Sequence, residues 1–161
     1  MTLEEIVIAV KGKIKNTGVL KGLFFGLVLN FTISPYSLAN DMPVGAGVQS
    51  GNVKISGPTQ DHMVIDQSSN KSIINWNGFS IHKNGRVDFN MPSSSSSSLN
   101  RVTGSTPSTI AGQLNSNGKV LIINPNGVMI TKEGVVKTGS FTASTLDIKN
   151  EDFLNNKFKF T

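Results

Sequence analysis

An all-β fold is predicted for the chain beyond residue 39, and three features of the sequence predict it. From Asn40 onward the commonest residues are Ser, Asn, Gly, Thr, Val and Ile, types that favour turns and strands over helices. No window holds apolar residues at helical spacing for three turns. Asn-Gly pairs recur at 84–85, 117–118 and 126–127, where both residue types tolerate the positive φ of a chain reversal.

The elements follow in order. Val53-Lys54-Ile55 alternates and is closed by Gly57-Pro58, and Met63-Val64-Ile65 runs into the polar stretch 66–71. Ile73-Ile74-Asn75-Trp76 ends at Asn77-Gly78, and Phe79-Ser80-Ile81 meets Lys83-Asn84-Gly85. Arg86-Val87-Asp88-Phe89 alternates again. Pro92 with Ser93 to Ser98 reads as a low-complexity connector, a floppy loop with nothing to bury. Val120-Leu121-Ile122-Ile123 is a continuous apolar run, the mark of a strand covered on both faces. Val128-Met129-Ile130, Val135-Val136 and Ser140-Phe141-Thr142 follow at short intervals, and a helix fits only around Asn150 to Asn155. Such short strands fit a sandwich, a barrel or a β-solenoid. No strict repeat period selects among them.

Residues 1–39 read differently. An apolar stretch, residues 22–33, follows Lys11, Lys13, Lys15 and Lys21 and is ended by Ser34-Pro35. Ser37 and Ala39 then supply the small residues a signal peptidase accepts, so cleavage is expected after Ala39. The stretch is shorter than the ~20 apolar residues of a membrane span. The basic leader is long for a signal, and a start downstream of Met1 fits equally. The expected organisation is therefore a signal peptide of extended type, 1–39, and one domain, 40–161.

Composition narrows the chemistry. The net charge is +5, and four of the fifteen basic residues lie in the leader. The remaining cations form no cluster, so no nucleic-acid partner is expected. The chain has no cysteine, which removes disulfides, thiolate metal sites and cysteine nucleophiles. His62 and His82 lie apart from any acidic cluster and read as surface residues of a strand or loop, so no metal is expected. A glycosidase would need two carboxylates across a cleft. Asp61, Asp66 and Asp88 are the candidates, but their spacing points to no shared site and Asp is common at turns. Nucleotide-binding loops and nucleophile elbows are absent. The expectation is a non-enzymatic protein without cofactors.

Three stretches point to a family: Ser72 to Ile81, with Asn75 and Trp76 at its centre; Leu99-Asn100-Arg101-Val102-Thr103-Gly104; and Gly118 to Val128, which contains Asn124-Pro125-Asn126-Gly127, followed by Phe141 to Ile148. In this order and spacing, over roughly residues 44–160, the chain resembles the haemagglutination-activity region of the filamentous-haemagglutinin (two-partner secretion) exoproteins. The high-molecular-weight adhesin type is the nearest in flavour. The resemblance implies a right-handed parallel β-helix with amino-terminal capping strands. It implies passage through the Sec machinery into the periplasm of a Gram-negative-type bacterium, and recognition by an outer-membrane TpsB-type transporter bearing POTRA domains. The domain would then fold at the cell surface as part of a virulence-associated adhesin, with a host-cell glycan or protein as receptor.

Local chemistry gives the central tetrapeptide a role of its own. Asn124-Pro125-Asn126-Gly127 is a type I turn sequence, with Pro setting φ and Asn supplying a local acceptor. It fits a folding corner and a transporter-recognition element equally, and the same pair of readings holds for Asn100, Arg101, Asn75 and Trp76. Trp76 is expected in the core beside Ile73 and Ile74, and Arg101 facing Asp88, Asp147 or a partner. Family exoproteins continue far beyond the point where this chain stops, so a truncated remnant or a passive surface protein is the alternative. An uncapped last coil leaves an unpaired edge, so the isolated chain is expected to be marginally stable or self-associating. A concentration-independent, reversible thermal transition of a monomer would contradict this.

Overall fold

The computed structural model describes residues 42–161. The expected signal peptide and its cleavage after Ala39 lie outside the described residues. Short apolar or Ser/Thr-rich runs, punctuated by Gly and Asn, form twelve short strands among the described residues. They are β1 (Gly47–Ser50), β2 (Val53–Thr59), β3 (His62–Gln67), β4 (Lys71–Trp76), β5 (Arg86–Asn90), β6 (Ser97–Val102), β7 (Ser108–Ile110), β8 (Gln113–Ser116), β9 (Lys119–Ile123), β10 (Val128–Ile130), β11 (Val135–Lys137) and β12 (Ser140–Ser144). One helix, α1 (Asn150–Leu154), follows, close to where the sequence places it.

The strands wind as a parallel β-solenoid of about four turns, the solenoid being one of the three architectures the pattern leaves open. One face stacks β3, β5, β8 and β11, and a second stacks β4, β6, β9 and β12, all parallel. The third face is slighter, with β7 beside β10 and a single bridge from Ile81 to Ile110. At the amino end, β2 pairs with β3 and β1 with β4, both antiparallel. These two strands close the edges of the first coil.

The register explains why no repeat is visible in the sequence. Equivalent positions on the first face, His62, Arg86, Gln113 and Val135, are 24, 27 and 22 residues apart. On the second face, Lys71, Ser97, Lys119 and Ser140 are 26, 22 and 21 apart. The strands repeat while the corner loops vary in length. Corners also carry close contacts that only glycine allows. A Cβ on Gly112 would stand 2.2 Å from the Gly85 carbonyl oxygen and 2.3 Å from that of His82, both backbone.

Alternation on the second face divides the core in two. Ile74, Trp76, Val102, Val120 and Ile122 point into the solenoid with Ile65, Phe79, Ile81, Val87, Phe89, Ile110 and Leu114. Ile73, Leu99, Leu121 and Ile123 point outward, yet they are buried beneath Ile148, Phe153 and Phe160. The apolar run 120–123 is therefore covered on both faces, as its composition predicts.

Two readings need correction. Strand β2 does not stop at Gly57-Pro58 but continues to Thr59. It pairs only with β3, and its register slips between Ser56 and Thr59, so an edge position and a bulge accommodate the proline. The serine run is not a floppy loop. Ser96, Ser97 and Ser98 are buried, and Ser97 and Ser98 open β6. Small hydroxyl side chains fit between coils and find partners: Ser72 Oγ and Ser98 Oγ are hydrogen-bonded at 2.9 Å, and the Ser93 amide donates to Ser96 Oγ at 3.2 Å.

At the other end, β10, β11 and β12 are each paired on one side only. Met129, Ile130, Val135 and Leu146 are exposed there. Ile130 continues the inward column of Ile81 and Ile110, so the last core layer meets solvent. This open edge is the physical basis for the expected self-association, which sedimentation across a concentration series would detect.

Candidate functional site

The residues singled out by the sequence fall into two clusters on β4, β6 and the turn after β9. In the turn, the Gly127 amide donates to the Asn124 carbonyl at 2.9 Å, and Gly127 has φ +108°. The Asn124 side chain is fully buried. Its Nδ2 donates to the Thr106 carbonyl at 3.0 Å and to Ser108 Oγ at 2.9 Å, both in the preceding coil. Its Oδ1 accepts from the Asn126 amide at 2.9 Å, and its own amide donates to the Ser144 carbonyl of the following coil at 3.0 Å. Through its side chain and its backbone amide, this one residue joins three coils. Pro125 and Asn126 are exposed, and Asn126 Nδ2 reaches the Gly104 carbonyl at 3.0 Å.

The second cluster lies inside the solenoid. Asn100 sits in register between Ile74 and Ile122 with its side chain buried. It accepts from Trp76 Nε1 at 3.0 Å and donates to Ser98 Oγ at 3.2 Å and the Leu121 carbonyl at 3.3 Å. Trp76 is buried and meets Phe79 edge-on at 5.3 Å. Gln67, buried in β3, extends the network by accepting from Ser72 Oγ at 2.6 Å. No buried side-chain polar atom among the described residues lacks a partner. Low polarity around these groups makes that completeness necessary.

Arg101 points outward from the same strand. Its Nε donates to Asp147 Oδ1 at 2.8 Å, Nη2 to the Ile148 carbonyl at 2.7 Å, and Nη1 to Asn75 Oδ1 at 3.4 Å. Of the partners considered for it, Asp147 is the one it meets, and Asp88 lies in a different group.

Asp88 and Asp66 are on strands β5 and β3, not at turns, while Asp61 lies in the turn before β3. Each is separately engaged: Asp61 with His82 at 3.1 Å, Asp66 with Asn90 at 2.8 Å, and Asp88 with His62 at 2.7 Å, Arg86 at 2.8 Å and Asn115 at 2.8 Å. Burial acts to raise the Asp88 carboxyl, but hydrogen bonds from Arg86, Asn115 and His62, with the Arg86 charge, outweigh it and hold it below its ordinary value. Because the folded value is depressed, the stabilisation is present above the unfolded value of about 4 and is lost as pH falls through the folded one. Thermal melts between about pH 5 and pH 2 are expected to fall less steeply in Asp88→Asn than in the parent. Parallel profiles would deny Asp88 that role.

The sequence singled out neither the interior polar network of Gln67, Ser72 and Ser98 nor Lys71. Spaced Ser and Gln give no signal distinct from surface strands. Lys71 Nζ donates to the carbonyls of Phe153 and Leu154 at 3.0 and 2.6 Å, the carboxyl end of α1.

Comparison with known proteins bears on the whole of this architecture. The family model described as "TPS secretion domain" matches residues 39–161. Two sequences from Haemophilus influenzae, both named heme/hemopexin-binding protein, are 36% identical, one over 137 residues and 84% of this chain, the other over 126 residues and 78%. The chain spans only 15% and 14% of their lengths. The crystal structure of the HMW1 secretion domain from Haemophilus influenzae superposes with a TM-score of 0.70 at 39% identity, covering 73% of this chain and 31% of that one.

Proposed function

The chain belongs to the TPS secretion domain family, and from that premise we propose that it directs an adhesin-type exoprotein out of the cell through a dedicated outer-membrane transporter. Its function is that of a secretion module. The single observation that best supports the detailed reading is the parallel solenoid closed by antiparallel strands at one end and open at the other. Such a body folds by adding coils to a capped start. Entry through the Sec machinery, passage through the periplasm, capture by POTRA domains and a right-handed winding complete the reading.

Asn124, Asn100, Trp76, Asn75 and Arg101 serve folding in this proposal, because their polar atoms are committed within the domain. Pro125 and Asn126 are the exposed part of the motif, open to a transporter. The haem or hemopexin binding named for the relatives is not carried over. The chain matches a small fraction of those proteins, and both described imidazoles are paired with aspartates.

Co-expression with a matching transporter, with medium and periplasm compared by immunoblot, tests the function. Release that depends on the transporter is expected, whereas retention with every matching transporter would favour a remnant without secretion activity. Asn126→Ala and Pro125→Ala then separate recognition from folding. Lost release at unchanged stability would make the exposed half of the turn a recognition element, and release unchanged in both variants would leave the motif its folding role alone.

A further inference from the structure

We infer that residues 147–161 form a latch that makes the coils unfold and refold as one unit. After β12 the chain leaves the solenoid and runs back over the outside of the second face. The segment closes on itself: the Asp147 amide donates to the Thr161 carbonyl at 3.1 Å, the Thr161 amide to the Asp147 carbonyl at 2.9 Å, and Ile148 bridges Phe160. It is then held at two points, its start and the end of α1, by cations from early coils. Arg101 of β6 takes Asp147 and the Ile148 carbonyl. Lys71 of β4, 82 and 83 residues away in sequence, takes the Phe153 and Leu154 carbonyls. A cation at a helix's carboxyl end meets its last carbonyls and the negative end of its dipole.

Between these clamps, Ile148 and Phe153 are fully buried over Ile73, Leu99, Leu121 and Ile123. Those four residues come from three successive coils of the second face. In an ordinary solenoid each coil touches only its neighbours, so stability is a sum of local terms and an end can fray alone. Here one segment, which follows β12, binds the first, second and third coils together. In the secretion reading, on which this consequence rests, coils emerging from the transporter stay unlocked until residues up to Thr161 have followed.

The test uses the purified 161-residue chain and urea. Trp76, the one tryptophan in the sequence, reports the first coil by fluorescence, and far-UV circular dichroism reports all strands. The two transitions are expected to coincide in the parent. In Phe153→Ala they are expected to separate, with the urea dependence of the Trp76 transition falling by about a third as the cooperative unit shrinks. Lys71→Met removes a clamp and leaves the apolar stripe covered, so it keeps the test open if Phe153→Ala yields no folded protein. Coincident transitions of unchanged slope in these variants, displaced only in midpoint as in the core control Ile65→Val, would overturn the latch. That result would leave the secretion function untouched, since no transporter enters the measurement.

Discussion

Replacing Asn124 by alanine is expected to lower the unfolding free energy by about 3–5 kcal/mol, the largest effect of any residue in the Asn-Pro-Asn-Gly turn. The side chain makes two donor bonds, to the Thr106 carbonyl and Ser108 Oγ, and accepts two from Asn126. An internal hydrogen bond contributes only about 1 kcal/mol net, but a buried group left without its partner costs about 1–3 kcal/mol. Ser108 is itself buried, so its hydroxyl has no water to turn to. Asn126→Ala, by contrast, removes a solvent-exposed side chain that reaches Gly104, and about 0.5–1 kcal/mol is expected. Equal destabilisation in the two variants by urea denaturation would contradict this division. The comparison also fixes how secretion data must be read. Release lost in Asn124→Ala reports a domain that fails to fold, whereas release lost in Asn126→Ala at normal stability reports a contact.

Much of the fold is legible in the sequence where a strand has two or more apolar residues. Strands such as Ile73-Ile74 and Val120 to Ile123 carry that signal in full. Strands β1, β7 and β8 do not, because Gly47–Ser50, Ser108–Ile110 and Gln113–Ser116 each present one large apolar side chain among polar ones. Ile110 and Leu114 are completely buried, but one inward residue per strand leaves no alternation to count. The solenoid is hidden for a different reason. Its periodicity is a property of strand stacking, and the uneven corners remove it from the residue spacing. The serine run misleads because serine belongs to loops on average, while here Ser98 is buried and pairs with Ser72 across coils. The motif residues were recognisable as a group by resemblance. Their individual jobs, Asn100 inward and Arg101 outward on adjacent positions of β6, follow only from the strand's alternation once its register is known.

Asn100 supplies the second large effect, and its sign depends on the partner. It interrupts an otherwise aliphatic column, Ile74 and Ile122 on either side, so an apolar residue of similar size fills its place sterically. Asn100→Leu nevertheless removes the acceptor of Trp76 Nε1 while Trp76 stays buried, and a loss of about 2–3 kcal/mol is expected from the orphaned donor. Trp76→Phe alone deletes that donor and part of a buried ring, at about 2 kcal/mol. Combining them removes both ends of the bond together, so the double variant is expected to be more stable than the sum predicts, by about 1–2 kcal/mol. Strict additivity in urea denaturation would mean that the Trp76–Asn100 bond contributes nothing of its own. A positive coupling would identify what the interior polar network does. The Ser72–Ser98 and Trp76–Asn100 bonds gain little stability over an aliphatic interior, but both belong to the register in which β4 and β6 pair at Ser72 with Ser98 and Ile74 with Asn100. A slip of two residues along the strand keeps the inward face inward but moves Ser72 away from Ser98 and disturbs the buried polar pairing. The network therefore penalises the misregistered solenoid, which hydrophobic burial alone tolerates, and it does so at the junction of the first two coils, where every later coil takes its register.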